Sequence, residues 1–434
     1  MPNPRLSRQS DVTVIGGGLG GKAASIHLAR AGFEVICIEP AASVGHCVGE
    51  SLDWSAPDLL RALGLPMEQL VQSQIATWKR HVTLQMRDGC SAHYVPSAWL
   101  GEKPFHIELR TLHVDRLKLD QELLNLTRAQ GVELVHDKVV GIERSGRRVA
   151  AVVTAGGSRF ASTWFIDASG LGSSIFGREF QLPSVDSGPP KVALWKYFPV
   201  SDVVEGTTIY IDPAPSDYLE WLWEIPVQTR MVSVGYVLTG AAMKAMRAER
   251  LTVDEIFQQQ LRKFARFQSL PQAETGKLNV TSFRCRAHLK SAGPNWTLVG
   301  EAASMVDPIS SNGVTAALRH AAETAAMIKK FRSRGSLPWR AQALYSARVH
   351  LLARFFNGGI EKIVYEPPVR NYIGLARSGT IYTGPAWSMN VVYARLKPKG
   401  TLSTGLLGMV LGAFRVGTWL FYQICKMTPA ASSN

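Results

Sequence analysis

Three glycines, Gly16, Gly18 and Gly21, stand at G-x-G-x-x-G spacing directly after the apolar run at 12–15. Between a strand and a helix this spacing suits a pyrophosphate. The first glycine permits the tight turn, the second lets backbone approach the phosphates, and the third lets the helix sit close. The helix start then offers free N–H groups and a partial positive charge. Glu39 ends the next apolar run, where an acid binds the hydroxyls of an adenosine ribose. Strand, turn, helix, strand and acid follow in register over 11–40, which predicts a dinucleotide site. Its place at the extreme N-terminus favours resident FAD over a diffusible nicotinamide. No second G-x-G-x-x-G is visible for NAD(P)H.

Further groups able to do chemistry are spread along the chain. They are Glu50 and Ser51 in V-G-E-S, Lys79 in A-T-W-K, Arg116 opening R-L-K-L-D, and Trp221 and Trp223 in W-L-W-E-I-P. The last set is Glu301, Asp307 and Gly313 within 300–313. The elements positioning them can be read from pattern. Helices are expected over 22–31, 57–63, 67–74, 116–128, 253–264 and 314–331, and strands at 34–38, 81–86, 92–95, 132–135 and 163–166. A hairpin over 138–154 turns at Ser145–Gly146. A strand running into a Gly turn and a helix occurs three times, which implies a parallel α/β core. The β-rich stretch 191–240 reads as an antiparallel sheet inserted into it. Trp221 and Trp223, two apart, share one face of a strand.

Composition bounds the remaining options. The 434 residues, 46% hydrophobic and 19% charged, describe a globular chain able to bury a large core. Five cysteines without a C-x-x-C pair argue against a zinc site or a disulfide framework and fit a reducing compartment. The N-terminal residues lack the apolar segment of a secretory signal, so a cytoplasmic protein is expected. The net charge of +14 comes from dispersed basic residues with no nucleic-acid motif, so nucleic acid is not expected as a partner. An acidic protein, an anionic membrane surface, or no charged partner at all remain open. The stretch 402–425 is apolar, but Arg415 sits in its middle. A packed or surface-lying helix is therefore expected there, not a transmembrane span.

In order along the chain, these motifs resemble those of FAD-dependent monooxygenases and halogenases. The resemblance covers most of the first 330 residues. It implies an α/β fold: a Rossmann-like FAD-binding domain, an inserted antiparallel β-sheet substrate domain and a helical C-terminal region. The expected limits are 1–180 with 275–335 for FAD, 181–274 for the substrate-side sheet and 336–434 for the helices. It also implies that Arg116 holds the cofactor, and that Glu301, replacing the family's Asp, approaches its ribityl–phosphate chain. The Asp307–Pro308 turn and Gly313 would aim a helix start at the flavin ring. Glu50 and Ser51 would border it, or serve only the loop.

W-x-W-x-I-P at 221–226 resembles the fingerprint of flavin-dependent halogenases, in which a lysine near the place of Lys79 holds or activates a hypohalous acid. The sequence after Lys79 departs from that pattern. Length, charge and N-terminus together look most like the flavoprotein monooxygenases of tryptophylquinone biogenesis. The first expectation is therefore an FAD monooxygenase. Through a flavin C4a-hydroperoxide it would hydroxylate an aromatic ring, an indole borne by a partner protein. Molecular oxygen is the co-substrate, and a flavin reductase or NAD(P)H is the electron source. The alternative is a flavin-dependent halogenase of an indole, pyrrole or phenol. An FAD-bearing assembly chaperone and a geranylgeranyl-reductase-like enzyme are further readings, the second disfavoured by W-x-W-x-I-P.

Overall fold

The apolar run at 12–15 forms the buried end of a strand, Ser7–Ile15. In this computed structural model that strand pairs in parallel with Val35–Ile38 on one side and Arg159–Asp167 on the other. The model describes residues 7–427 except 42–46, 88, 90, 96–109, 171–173, 203, 213–216, 269, 271–275, 375–376 and 378–400. Outward from Val35–Ile38 lies Glu133–Val135, also parallel. Beyond Arg159–Asp167 come Trp296–Leu298, in parallel, and the antiparallel hairpin of Arg148–Thr154 and Val139–Ser145. Strands this central are apolar on both faces, and Val35–Ile38 is buried at every position. The helix Leu19–Arg30 packs against Arg116–Ala129 and Gly313–Lys330, and these helices share one core with the strands.

A second sheet of eight strands runs in the order 304–305, 279–288, 184–199, 231–239, 221–228, 207–211, 82–86, 91–94. Strands from outside 181–274 therefore complete it. Val82–Met86 joins in parallel to Thr207–Ile211, a long-range pairing with no local sequence signal. Trp221–Gln228 sits inside this sheet and is buried on both faces. One face carries Trp221, Trp223, Ile225 and Val227. The other carries Leu222, packed under the helix Val253–Leu261, and Glu224. Glu224 is tolerated there because Arg266 pairs with it at 2.7 Å and Tyr210 donates to it at 2.7 Å. A small two-stranded ribbon, Ala76–Lys79 with Thr111–Val114, was not expected from the sequence; it carries Lys79.

A buried charged cluster ties the second sheet to the C-terminal helices. Lys191, 2% exposed, pairs with Asp307 at 3.0 Å and Glu361 at 3.6 Å. Tyr365 donates to Asp307 at 2.9 Å and Tyr218 to Glu361 at 2.8 Å. Glu361 and Tyr365 bracket a π-helical turn, Glu361–Tyr365, that continues the helix Trp339–Ile360. The turn places both side chains over Lys191, whose Nζ lies 4.2 Å from the Tyr365 ring centre.

The last described helix, Thr401–Met427, is the one described helix long and apolar enough to cross a membrane by length and composition. Only 17% of its most apolar window is buried.

Replacing Lys191 by Met leaves two buried carboxylates without their cation. The expected loss is about 3–5 kcal/mol of stability at neutral pH, measured by urea denaturation. Burial already raises the Glu361 carboxyl. Without Lys191 it takes up a proton more readily still, so the deficit should shrink as pH falls.

Candidate active site

The turn after the first strand shows why its glycines are there. A Cβ on Gly21 would lie 1.9 Å from the Gly16 carbonyl oxygen, and one on Gly16 would lie 2.4 Å from that of Ala168. Gly16 also has φ +95°, where a side chain is strained. A Cβ on Gly18 would meet nothing within 4 Å, so the second glycine faces open space at the start of the helix. That helix has no acid in its first turn, which leaves its positive end unneutralised. Glu39 fastens the loop from the other side, accepting from Gly17 N–H at 2.6 Å and Ala41 N–H at 3.0 Å.

Two adjoining cavities open over this turn. The smaller, about 190 Å³, is lined by Gly18, Glu39, Arg116 and Val135 among others. The larger, about 300 Å³, runs from Gly18 and Arg116 past Glu50, Ser51, Glu301 and Gly313 to Trp221 and Trp223. Arg116 stands at their junction. It donates to the Val48 carbonyl at 2.6 Å and to Asp120 at 3.0 Å, while its buried Nε has no hydrogen-bond partner. An open glycine turn, a bare helix start, an acid at the ribose position and a cation between two connected cavities fit an extended dinucleotide such as FAD.

Most of the residues singled out from sequence thus converge on one place. Gly18, Glu50, Ser51, Arg116, Trp221, Trp223, Glu301 and Gly313 all line the larger cavity, and Gly313 begins the helix Gly313–Lys330, which has no acid in its first turn. Gly16 and Gly21 lie behind the turn as packing positions. Two residues lie elsewhere than expected. Asp307 is fully buried and is not a lining residue. Its carboxylate caps the turn Pro308–Ser310 through Ile309 N–H and meets Lys191 and Tyr365, so Pro308 and Ile309 reach the cavity in its stead. Lys79 does not line the cavity either. It is 2% exposed, donates at 2.9 Å to the carbonyl of Leu52, the residue after Ser51, and lies 4.6 Å from the centre of a Trp54 ring.

The tryptophan pair is held from behind. Trp221 Nε1 donates to the Tyr365 hydroxyl at 2.8 Å, and through it reaches Asp307. Trp223 Nε1 donates to Ser233 at 3.1 Å, and Ser233 donates to Glu50 at 3.1 Å. The rings stand 5.8 Å apart, and the Trp223 ring lies across Gly235, where a Cβ would come within 2.1 Å of it. Tyr197 also donates to Glu50, at 3.0 Å, and burial raises the Glu50 carboxyl.

A polar chain that sequence reasoning missed enters the cavity beside them. His113 meets the Thr207 hydroxyl at 2.9 Å, Thr207 meets Ser51 at 2.9 Å, and Ser311 donates to Ser51 at 3.1 Å. Burial, aided by Lys79, pushes the His113 pKa well below its usual value, so the ring is neutral at pH 7. No local motif marks His113 or Thr207; only the fold joins them. Burial lowers the Lys79 pKa to about 7 against the opposing pull of Asp53.

Comparison with known proteins agrees with this geometry. Residues 104–350, more than half of the chain, match the family model described as tryptophan halogenase. The chain belongs to the tryptophan halogenase family. Residues 11–82 match an FAD binding domain, the stretch holding the glycine turn and Glu39, and FAD is the cofactor. The protein is 28% identical over 348 residues to a tryptophan 2-halogenase of Chondromyces crocatus, covering 75% of this chain and 62% of that one. The chain therefore spans under two thirds of that relative's length. It is 25% identical over 352 residues to a 1H-pyrrole-2-carbonyl-[peptidyl-carrier protein] chlorinase of Pseudomonas fluorescens, covering 72% and 74%. The solved flavin-dependent halogenase CmlS superposes with a TM-score of 0.70 at 22% identity, over 95% of this chain and 77% of that one. These likenesses place the protein among flavin halogenase-like folds and flavoenzymes. The named relatives favour the halogenase alternative over the tryptophylquinone branch that the sequence suggested first.

Two measurements probe the site. Gly21→Ala is expected to purify without flavin colour because its methyl group collides with the turn. Gly18→Ala should fold normally and lose only FAD affinity. For Lys79, the folded pKa is lowered below the unfolded 10.5, so between about pH 7 and 10.5 the unfolded chain binds more protons. This group therefore makes stability rise with pH in that window, by at most about 1.4 kcal/mol per pH unit. Urea midpoints at pH 7, 8 and 9 should show that slope in the native protein and a shallower one in Lys79→Met.

Proposed function

We propose that the protein is a flavin-dependent halogenase acting on an electron-rich aromatic ring of the indole, pyrrole or phenol kind. The observation that carries this reading is the braced wall of Trp221 and Trp223 in the cavity that continues from the FAD cradle. Bound and reduced, FAD supplies, with molecular oxygen, the oxidation that turns halide into an electrophilic halogen equivalent, which replaces a ring hydrogen. The electrons come from a flavin reductase or from NAD(P)H docking transiently. Gly18, Arg116 and the start of the helix at Gly313 hold the cofactor's phosphates and ring edge, Glu39 its ribose, and Glu301 its linking chain. The tryptophan wall keeps the substrate ring at a distance from the cofactor, so the oxidised halogen must travel to it. Lys79, held by the Leu52 carbonyl over Trp54, is the group that would receive it. With a pKa of about 7, its amine can donate a hydrogen bond when protonated and give up that proton to the departing oxygen. Glu50, Ser51 and Ser311 keep the cavity's polar edge ordered, and Ile209, Ile225 and Ile309 keep its remainder apolar.

A second reading has its own observation. Lys79 does not line the cavity, and its Nζ is engaged by the Leu52 carbonyl. Without a lysine relay, the same site would deliver oxygen straight to a ring. The +14 charge would then suit a partner protein bearing the target tryptophan, as in tryptophylquinone biogenesis.

Mass spectrometry separates the two. The holoenzyme is incubated with a flavin reductase, NADH, oxygen, bromide and either free aromatic probes or a tryptophan-bearing peptide. Bromine gained only with bromide present, and reduced at least about a hundredfold in Lys79→Ala, is expected for a group doing general acid work. Gain of oxygen regardless of bromide, unchanged in Lys79→Ala, overturns the halogenase in favour of the hydroxylase.

A further inference from the structure

The helix Thr401–Met427 is clad on one side only. Leu407, Leu411, Tyr422 and Cys425 are buried, and the helix packs on Trp339–Ile360. Phe414 meets Phe355 at 4.9 Å between ring centres. The Tyr422 hydroxyl donates to Glu366, and Lys362 sits 4.5 Å over the Tyr422 ring. The opposite face is where a water-exposed helix would carry charge, and here it is apolar. Leu402 is 88% exposed, Met409 66%, Val416 58% and Trp419 55%, with Leu406 and Leu420 beside them. These positions recur at three-, four- or seven-residue intervals, so from Leu402 to Leu420 they form one stripe about 27 Å long at 1.5 Å per residue. Scattered exposed apolar residues need no explanation, but a stripe of this length does.

Charge identifies what covers it. Residues 367–434 contain seven Lys or Arg and not one Asp or Glu, so this short part of the chain holds half of the net +14. An apolar stripe on a stretch of chain that carries basic residues and no acids matches a lipid bilayer whose headgroups are anionic. Trp419, on the stripe, is the residue type that settles at the headgroup level.

We propose that the helix Thr401–Met427 lies in the plane of an anionic membrane surface, with its outer stripe among the upper acyl chains and its exposed Arg415 and Lys426 on the headgroups. It does not span. Crossing would pull Tyr422 from Glu366 and Lys362, strip the inner stripe from Trp339–Ile360, and carry Arg415 into hydrocarbon. The active-site cavity is formed by other elements, so docking holds the enzyme at the bilayer without closing its site.

The test is co-sedimentation of the full-length holoenzyme with vesicles of equal parts phosphatidylcholine and phosphatidylglycerol, against vesicles of phosphatidylcholine alone. Recovery in the pellet is expected to be at least about tenfold greater with the anionic vesicles and to fall with added salt. The exposed double variant Leu406→Glu/Leu420→Glu should lose binding while retaining its FAD and thermal midpoint. Equal recovery on both vesicles overturns the proposal. So does unchanged binding by the double variant, or retention in cell membranes after alkaline carbonate extraction, which marks a span. A dimer that the double variant abolishes, with no vesicle binding, assigns the stripe to a second copy of this chain instead. None of these readouts depends on whether the site halogenates or hydroxylates.

Discussion

One buried cation, Lys191, fixes the far side of the cavity. It rises from the long strand Ser184–Pro199 and neutralises carboxylates on two other elements: Asp307 before the cofactor-side turn and Glu361 in the π-helical turn. A lysine at 2% exposure would lose its proton unless it were paired; here the two carboxylates outweigh burial and hold its pKa above the usual value. The cluster contributes specificity of geometry more than net stability, because desolvation offsets much of its Coulomb attraction. Its value is that sheet, turn and C-terminal helices cannot move separately. Asp307, bound on one oxygen by Lys191 and on the other by Ile309 N–H and Tyr365, sets where Pro308 and Ile309 meet the cavity.

Much of the cofactor half was legible in the sequence because its determinants are local. The turn at Gly16–Gly21, the acid at 39 and the strand-to-helix junctions near 167 and 313 each follow from neighbours in the chain. Glycine there answers contacts within the same supersecondary unit, as the Gly21–Gly16 approach shows. The substrate half was less legible because its partners are distant. Val82–Met86 pairs with a strand about 125 residues away, and His113, Thr207 and Ser311 meet only through folding. Asp307 illustrates the limit most clearly. Its motif was recognisable, yet its carboxylate answers Lys191, 116 positions earlier, and not the cavity. Gly235 carried a signal that could have been used: a glycine inside a buried strand marks close approach, and the ring of Trp223 lies there.

Lys79 and Lys191 show how environment divides identical side chains. Both are nearly fully buried, but Lys191 faces two carboxylates that hold its proton, whereas burial prevails at Lys79 and brings its pKa to about 7. Only the second can exchange a proton at neutral pH, and it is the one beside the polar chain of His113, Thr207 and Ser51 that reaches the cavity. Lys191 is thus a strut and Lys79 the candidate for chemistry, a division that burial alone would not reveal.

The tryptophan wall joins these two halves. Trp221 is tied through Tyr365 to the Lys191 cluster, while Trp223 is tied through Ser233 to Glu50, next to Ser51 on the cavity wall. Rotating either ring would leave a buried indole N–H without its partner, a cost of about 1–3 kcal/mol, and would also disturb a carboxylate network. The wall is therefore held from behind by groups that also brace or line the cavity. Its place there is consequently set by the fold and does not await a substrate. Under the proposed halogenation, a wall fixed in this way suits a small oxidised species that moves while the aromatic ring is held in place.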